Sequence, residues 1–245
     1  MESKGNVVFI NLLKLKYLLL HPIQVAKAIF GIWPSDISIS RVFSELPENA
    51  VVVEAGTGEG VNTMGFAENL PQGKIWGLEP IEPLFNIAKQ NCKHFTNVNL
   101  FNMALVETGI SVAELYSNVI GNHESSSMLR PTDQFRSIYP KINFDCIREI
   151  PGITLDDFCS LNKISTVDLL WLDLQGSEMS ILKNGGLETL KRTRFLHSEV
   201  IKMPLYQGVT LVDEFLAFME DMDFQVIELK LGFAAGNALL KNNRY

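Results

Sequence analysis

The chain has only three cysteines, Cys92, Cys146 and Cys159, far apart and with no CxxC pair among them. An odd, scattered set of thiols builds neither a disulfide framework nor a zinc site, and it fits a reducing, cytoplasmic compartment. Basic charge is also short: 21 Lys and Arg against 28 Asp and Glu leave a net charge of −7. A general nucleic-acid binder needs a basic face, so that class of partner is excluded. No apolar run reaches the roughly 18–20 residues of a membrane-spanning helix. The most apolar stretch, "VVFINLLKLKYLLLHPIQVAKAIFGIW", is interrupted by Lys14 and Lys16 and broken at Pro22. No small-residue cleavage site comes after it, so it does not read as a secretory signal.

What is present is ordinary globular composition, 47% apolar and 20% charged over 245 residues. That length suits one α/β domain with a sizeable core. The first residues differ from the rest: 3–35 carry Lys4, Lys14, Lys16 and Lys27 and no acid. We read residues 1–46 as an N-terminal helical extension, an amphipathic helix pair that packs on the domain or on a second subunit of a homodimer. A basic helix lying peripherally on an anionic membrane through residues 3–35 is the alternative. Residues 47–245 form the main domain.

Within it, a strand at 50–54, a helix at 61–70, a strand at 74–80, a helix at 82–94 and a strand at 96–105 alternate. Such alternation is the signature of βαβ units on a parallel sheet. The middle is less regular, with candidate strands at 111–116 and 145–149 around a polar stretch rich in Ser, Asn and His. We read 118–141 as a lid over a site, since long loops in compact domains usually serve function or stay disordered. Helix at 154–164, the apolar strand "TVDLLWLDLQG", helix at 177–190, strand at 192–200 and helix at 210–222 resume the alternation. "DFQVIELKLG" and "NALLKN" close it as a strand pair.

The chemistry sits in "VVVEAGTGEG", where a strand runs into Gly56, Gly58 and Gly60. A glycine turn ahead of a helix lets a ligand approach the backbone closely. The spacing is not the GxGxxG of a dinucleotide site. Glu54 and Glu59 would repel a diphosphate but suit a ligand bearing an ammonium group. Glu79 ends the second strand, where a carboxylate can accept from both hydroxyls of a ribose. This pattern fits S-adenosylmethionine better than NAD.

With "WGLEP", "NVNLFNMAL", "ESSSM", "ITLDDF", "VDLLWLDLQGSEMSILKNG" and "HSEV" in order after that turn, the chain resembles the FkbM-type family of S-adenosylmethionine-dependent methyltransferases. The likeness starts near Ala50; the N-terminal extension lies outside it. The family usually has Asp at Glu54, "FEP" at Leu78-Glu79-Pro80, and D-x-E-G-x-E where this chain has Asp173-Leu174-Gln175-Gly176-Ser177-Glu178. The resemblance implies a Rossmann-like class I methyltransferase fold: a mostly parallel central sheet, helices on both faces, and an antiparallel last strand. It implies a cofactor held by Glu54, Ala55, Gly56, Thr57, Gly58, Glu59 and Asn62, with Glu79 and Pro80 at the ribose, Met103 and Ala104 at the adenine, and Asp173 near the methyl group. The acceptor it implies is a hydroxyl on a small molecule or glycan, a sugar or a secondary metabolite.

A hydroxyl is a poor nucleophile at neutral pH, so a base or a metal is needed. The candidates are Asp173, His197 and Glu199 at strand ends, and His123 with Glu124 in the polar stretch. A divalent metal between Asp173 and Glu199 stays open, but the spacing does not support it. Asp173 has a second reading as a helix cap, and Gln175 and Glu178 read as supporting or capping groups. The loss of the family's acid at Gln175 keeps a non-catalytic, cofactor-binding scaffold as the alternative function.

Overall fold

Val51, Val52 and Val53 are β-branched and pleated, so alternate side chains leave opposite faces of the strand. Val52 enters one core and Val53 the other. This is how the interior is built throughout the computed structural model, which describes residues 42–117 and 126–245.

The elements are β1 (Val51–Ala55), α1 (Val61–Asn69), β2 (Lys74–Leu78), α2 (Glu82–Cys92), β3 (Val98–Phe101), β4 (Ala104–Leu105) and β5 (Val112–Ser117). Next come α3 (Asp133–Ile138), β6 (Cys146–Ile153), α4 (Leu155–Leu161), β7 (Val167–Leu172), α5 (Glu178–Gly185) and α6 (Leu187–Lys191). The chain continues through β8 (Thr193–Ile201), α7 (Val212–Asp221), β9 (Phe224–Leu231) and β10 (Ala235–Asn242). Seven strands form one sheet in the order β3-β2-β1-β7-β8-β10-β9. The pairs among β3, β2, β1, β7 and β8 are all parallel, and β10 runs against both its neighbours. The mostly parallel sheet with a reversed last strand is therefore the expected class I arrangement.

Helices cover both faces. On one, α1 lays Phe66 and Ala67 over Val52, Leu169, Trp171 and Phe195. Phe66 meets Trp171 edge-on at 5.4 Å, and cutting such a ring to alanine costs about 3–5 kcal/mol. On the other face, Phe158 of α4, Leu182 of α5 and Met219 of α7 close over Val53, Leu170 and Leu196.

The expected strand 96–105 is divided. The Asn102 side chain turns back to donate to the Glu79 and Pro80 carbonyls, and Ala104–Leu105 joins β6 and β5 in a second, three-stranded sheet. The expected helix 177–190 likewise breaks into α5 and α6.

The lid reading of 118–141 needs correction. Residues 118–125 lie outside the described residues, but the segment from Ser127 to Tyr139 is docked on the domain. Thr132 caps α3 by accepting from the Phe135 amide and donates its hydroxyl to the Pro204 and Leu205 carbonyls. Phe135 is 2% exposed, with the rings of Tyr139, Phe144 and Tyr206 around it at 5.0–5.3 Å. Of the expected N-terminal extension, residues 1–41 lie outside the described residues, and Val42 is buried in the α1 cluster. All three cysteines are free. Among the described residues no helix is long and apolar enough to cross a membrane.

Candidate functional site

Parallel strands bring the carboxyl ends of β1, β2, β7 and β8 to one edge, where open α/β sheets place their ligands. The glycine turn, Glu79, Asp173 and Glu199 all lie along it.

The turn hangs on β2: the Gly56 and Thr57 amides donate to the Leu78 carbonyl at 3.0 and 3.2 Å. Its glycines answer to different needs. A Cβ on Gly56 would stand 2.1 Å from the Asp173 carbonyl oxygen, so that glycine is required by packing. A Cβ on Gly58, at φ +54°, would meet nothing within 4 Å. The protein does not fill the space over Gly58, and a ligand can. The Thr57 hydroxyl is buried with no partner among the described residues, another sign of an incomplete contact set.

Glu54 departs from expectation. It is fully buried, its Oε2 accepts from the Thr63 hydroxyl at 2.5 Å, and burial pushes its carboxyl up to about 8. It has no surface to offer an ammonium group, so whatever β1 contributes comes from the backbone after Ala55. Glu59 is half-buried, with its carbonyl accepting from Asn91, and Asn62 stands exposed in the first turn of α1.

Glu79 is 4% exposed and accepts from two backbone amides, Gly58 at 2.7 Å and Ile81 at 2.9 Å. Desolvation outweighs these bonds and pushes its carboxyl up to about 7. Each oxygen keeps a further lone pair for a ribose hydroxyl. Pro80 comes next, half-buried, its carbonyl held by Asn102. Met103 is partly exposed, whereas Ala104 is 5% exposed and engaged in β4. Of the two residues expected at the adenine, Met103 supplies the surface.

At the end of β7 the side chains converge on Gln175. Its Nε2 donates to Asp173 Oδ1 at 2.8 Å and to Glu199 Oε2 at 3.1 Å. Its Oε1 accepts from the Tyr206 hydroxyl at 3.3 Å, and its backbone carbonyl from the Ser127 hydroxyl at 2.8 Å. Asp173 is exposed and does not cap α5, whose first turn has Ser177 at its cap without a side-chain bond. Buried Glu178 accepts from the Leu174 amide at 2.7 Å, and burial pushes its carboxyl up to about 7. Burial first, then the charges of Asp173 and Glu178, holds Glu199 well above the usual carboxylate range. The gap between Asp173 and Glu199 is thus filled by N–H donors, which does not fit a cation there. Among the described residues no group of three or more His, Cys, Asp and Glu is arranged to hold a metal.

His197 is also placed differently from expectation. It lies inside β8, opposite Trp171, with the rings stacked at 3.4 Å and 6°. It is 4% exposed, and burial lowers its imidazole to about 3, too weak a base for neutral pH. His123 and Glu124 lie outside the described residues. Two contributions were not foreseen from the sequence: Tyr206, which carries no motif, and Gln175 as a hub; Ser127 lies in the quoted "ESSSM" segment, but its bond to Gln175 was not foreseen. For Gln175 the signal was its departure from the family signature.

Comparison with known proteins identifies the family. The profile of the methyltransferase FkbM domain matches residues 54–226. The 2-O-methyltransferase NoeI of Sinorhizobium fredii is 26% identical over 215 residues, covering 86% of this chain and 87% of that protein. Solved structures with similarity include an S-adenosylmethionine-dependent methyltransferase from Aquifex aeolicus, with 17% identity, TM-score 0.44, and 84% and 89% of the two chains covered. Another is a precorrin-6y C5,15-methyltransferase from Geobacter metallireducens, with 13% identity, TM-score 0.47, and 83% and 86% covered. The FkbM-domain profile, which takes in the glycine turn, Glu79 after β2 and the Asp173–Glu178 signature after β7, establishes that the chain belongs to the FkbM family of methyltransferases.

Proposed function

We propose that this enzyme moves a methyl group from S-adenosylmethionine to a hydroxyl of a sugar or secondary metabolite, with Asp173 as the proton acceptor. The observation that carries the reading is Asp173 itself: an exposed carboxylate at the carboxyl end of the central strand, seated by Gln175 and adjoining the glycine turn. The activity of the Sinorhizobium relative, a 2-O-methyltransferase, supports an oxygen acceptor.

In this reading the backbone of 56–60 faces the amino-acid part of the donor, Glu79 accepts from the ribose, and Met103 borders the adenine. The bound donor supplies a methyl group on a sulfonium, which is electrophilic without further activation. With the donor bound, a carboxylate oxygen of Asp173 would take the hydroxyl proton as the acceptor oxygen bonds to the methyl carbon, and the C–S electron pair would return to sulfur. Alignment and exclusion of water account for the rest of the acceleration. Glu199, half-buried and held well above the usual carboxylate range, is a neighbour of this step. The unit that performs it is residues 47–245, in the cytoplasm, with residues 1–46 as an extension that contacts the domain or a second subunit.

Asp173→Asn tests the assignment. Single-turnover methylation of a sugar hydroxyl should fall about 10²–10⁴-fold while affinity for S-adenosylhomocysteine stays nearly unchanged. A near-wild-type rate in that variant would remove Asp173 from the mechanism.

A further inference from the structure

Gln175 occupies a position where the family signature has an acid, and its surroundings give the change a purpose. The two hydrogens of one amide nitrogen go to two different carboxylates, Asp173 beyond β7 and Glu199 on β8. The Tyr206 hydroxyl donates to the amide oxygen and so fixes which way the amide points. The flipped amide would set its oxygen against both carboxylates. The backbone is committed as well. Gln175 has φ +54°, a conformation that costs a non-glycine residue about 1–2 kcal/mol. The Ser127 hydroxyl on its carbonyl and the amide bonds on its side chain hold it there.

We propose that Gln175 is a positioning residue whose amide clamps Asp173 to Glu199, so that Asp173 is held aimed at the acceptor. The proposal rests on reading Asp173 as the base. Among the described residues whose charge bears on Asp173 are the acids Glu54 of β1, Glu79 after β2, Glu178 of α5 and Glu199 of β8. Hydrogen-bond donors offset such acidic neighbours by favouring the charged form of a carboxylate. Gln175 supplies a donor to each member of the pair. Glu199, the more deeply set one, is held well above the usual carboxylate range by burial and by its acidic neighbours. A glutamate at this position would place a third carboxyl between the two and give the cluster one more proton to share.

The test compares wild type with Gln175→Glu, Gln175→Ala and Gln175→Asn, whose shorter arm does not span both partners. Two readouts are needed: the pH profile of single-turnover methyl transfer, and ¹³C titration of the side-chain carboxyls, assigned with Asp173→Asn and Glu199→Gln. In all three variants the acid limb and the paired carboxyl titrations should move up by about one pH unit or more. S-adenosylhomocysteine affinity should stay within about twofold, since Gln175 makes no bond to the turn or to Glu79. Titrations that superimpose on wild type, or a rate loss equal at every pH, would show a merely structural Gln175 and overturn the proposal. The Ala and Asn variants keep the test decisive if the Glu variant does not fold. Displaced carboxyl titrations alongside a wild-type rate in Asp173→Asn would instead keep the clamp and sink the reading of Asp173 as base.

Discussion

The Gly58 amide donates to Glu79 Oε2 at 2.7 Å, so the acid after β2 holds the glycine turn, the two elements proposed to share one ligand. Removing it should hurt twice. Glu79→Ala is expected to weaken S-adenosylhomocysteine binding by about 1.5–3 kcal/mol, the range for hydrogen bonds to a charged group. It should also lower the melting temperature, because the buried Ile81 amide and the part-buried Gly58 amide lose their acceptor. Calorimetric affinity equal to wild type in a folded Glu79→Ala protein would contradict both roles.

The two glycines of the turn should separate folding from binding. Gly58→Ala places a methyl where nothing stands within 4 Å, at φ +54°. Its stability cost is the backbone strain alone, about 1–2 kcal/mol. Ligand affinity, however, should drop at least tenfold, because the methyl enters the space a ligand would use. Gly56→Ala should fail to fold well, since its methyl collides with the Asp173 carbonyl. Thermal melts with ligand titrations would decide, and a Gly58→Ala protein of undiminished affinity would place the ligand elsewhere.

His197 should prove to be a core residue. Its ring lies flat on Trp171 and its Nδ1 has no partner among the described residues. His197→Phe keeps an aromatic ring and removes the unsatisfied nitrogen, so stability should hold or rise. Single-turnover transfer should stay within about threefold of wild type, against the 10²-fold or larger loss that removing a general base brings. A loss of that size with an unchanged melt would return His197 to the mechanism.

The buried acids give the fold an unusual dependence on pH. Burial pushes Glu54 up to about 8 and Glu79 and Glu178 up to about 7, from 4.5. Folded, each binds its proton more tightly than unfolded, so the stability they contribute is full below 4.5 and is lost as pH rises through 7 and 8. His197, lowered from 6.5 to about 3, acts oppositely, but its contribution is complete once pH passes 6.5. From about pH 6.5 to about pH 8 the stability should therefore fall, at up to about 1.4 kcal/mol per pH unit for each group still protonated in the folded state, the melting temperature falling with it. Glu54→Gln should flatten the slope. Scanning calorimetry across that window checks this, and a level or rising curve would refute it.

The sheet was readable because hydrophobic period and turn residues are local. "VVVEA" and "VDLLWL" declare strands without reference to anything distant, and the glycines between β1 and α1 mark the site edge. The misread pieces depend on partners far along the chain. Residues 96–105 look like one strand until Ala104 pairs with Gly152. His197 looks like a strand-end base until the register of β7 and β8 sets it on Trp171. The Gln175 clamp needs Glu199 from the next strand and Tyr206 from the loop beyond it. Likewise the polar composition of 126–144 gave no hint that Phe135 would anchor it against Tyr206.

The slot held by β10 has a consequence for how the chain is made. In the sheet β9 borders only β10, and β10 is what joins it to β8. A ribosome delivers β9 before β10, so during synthesis β8 presents an open edge while β9 has nothing to dock on. Such edges are where nascent chains stick to one another. If the pair closes as a hairpin and enters as a unit, β10 also completes the edge of β8 that carries Glu199, opposite Asn237.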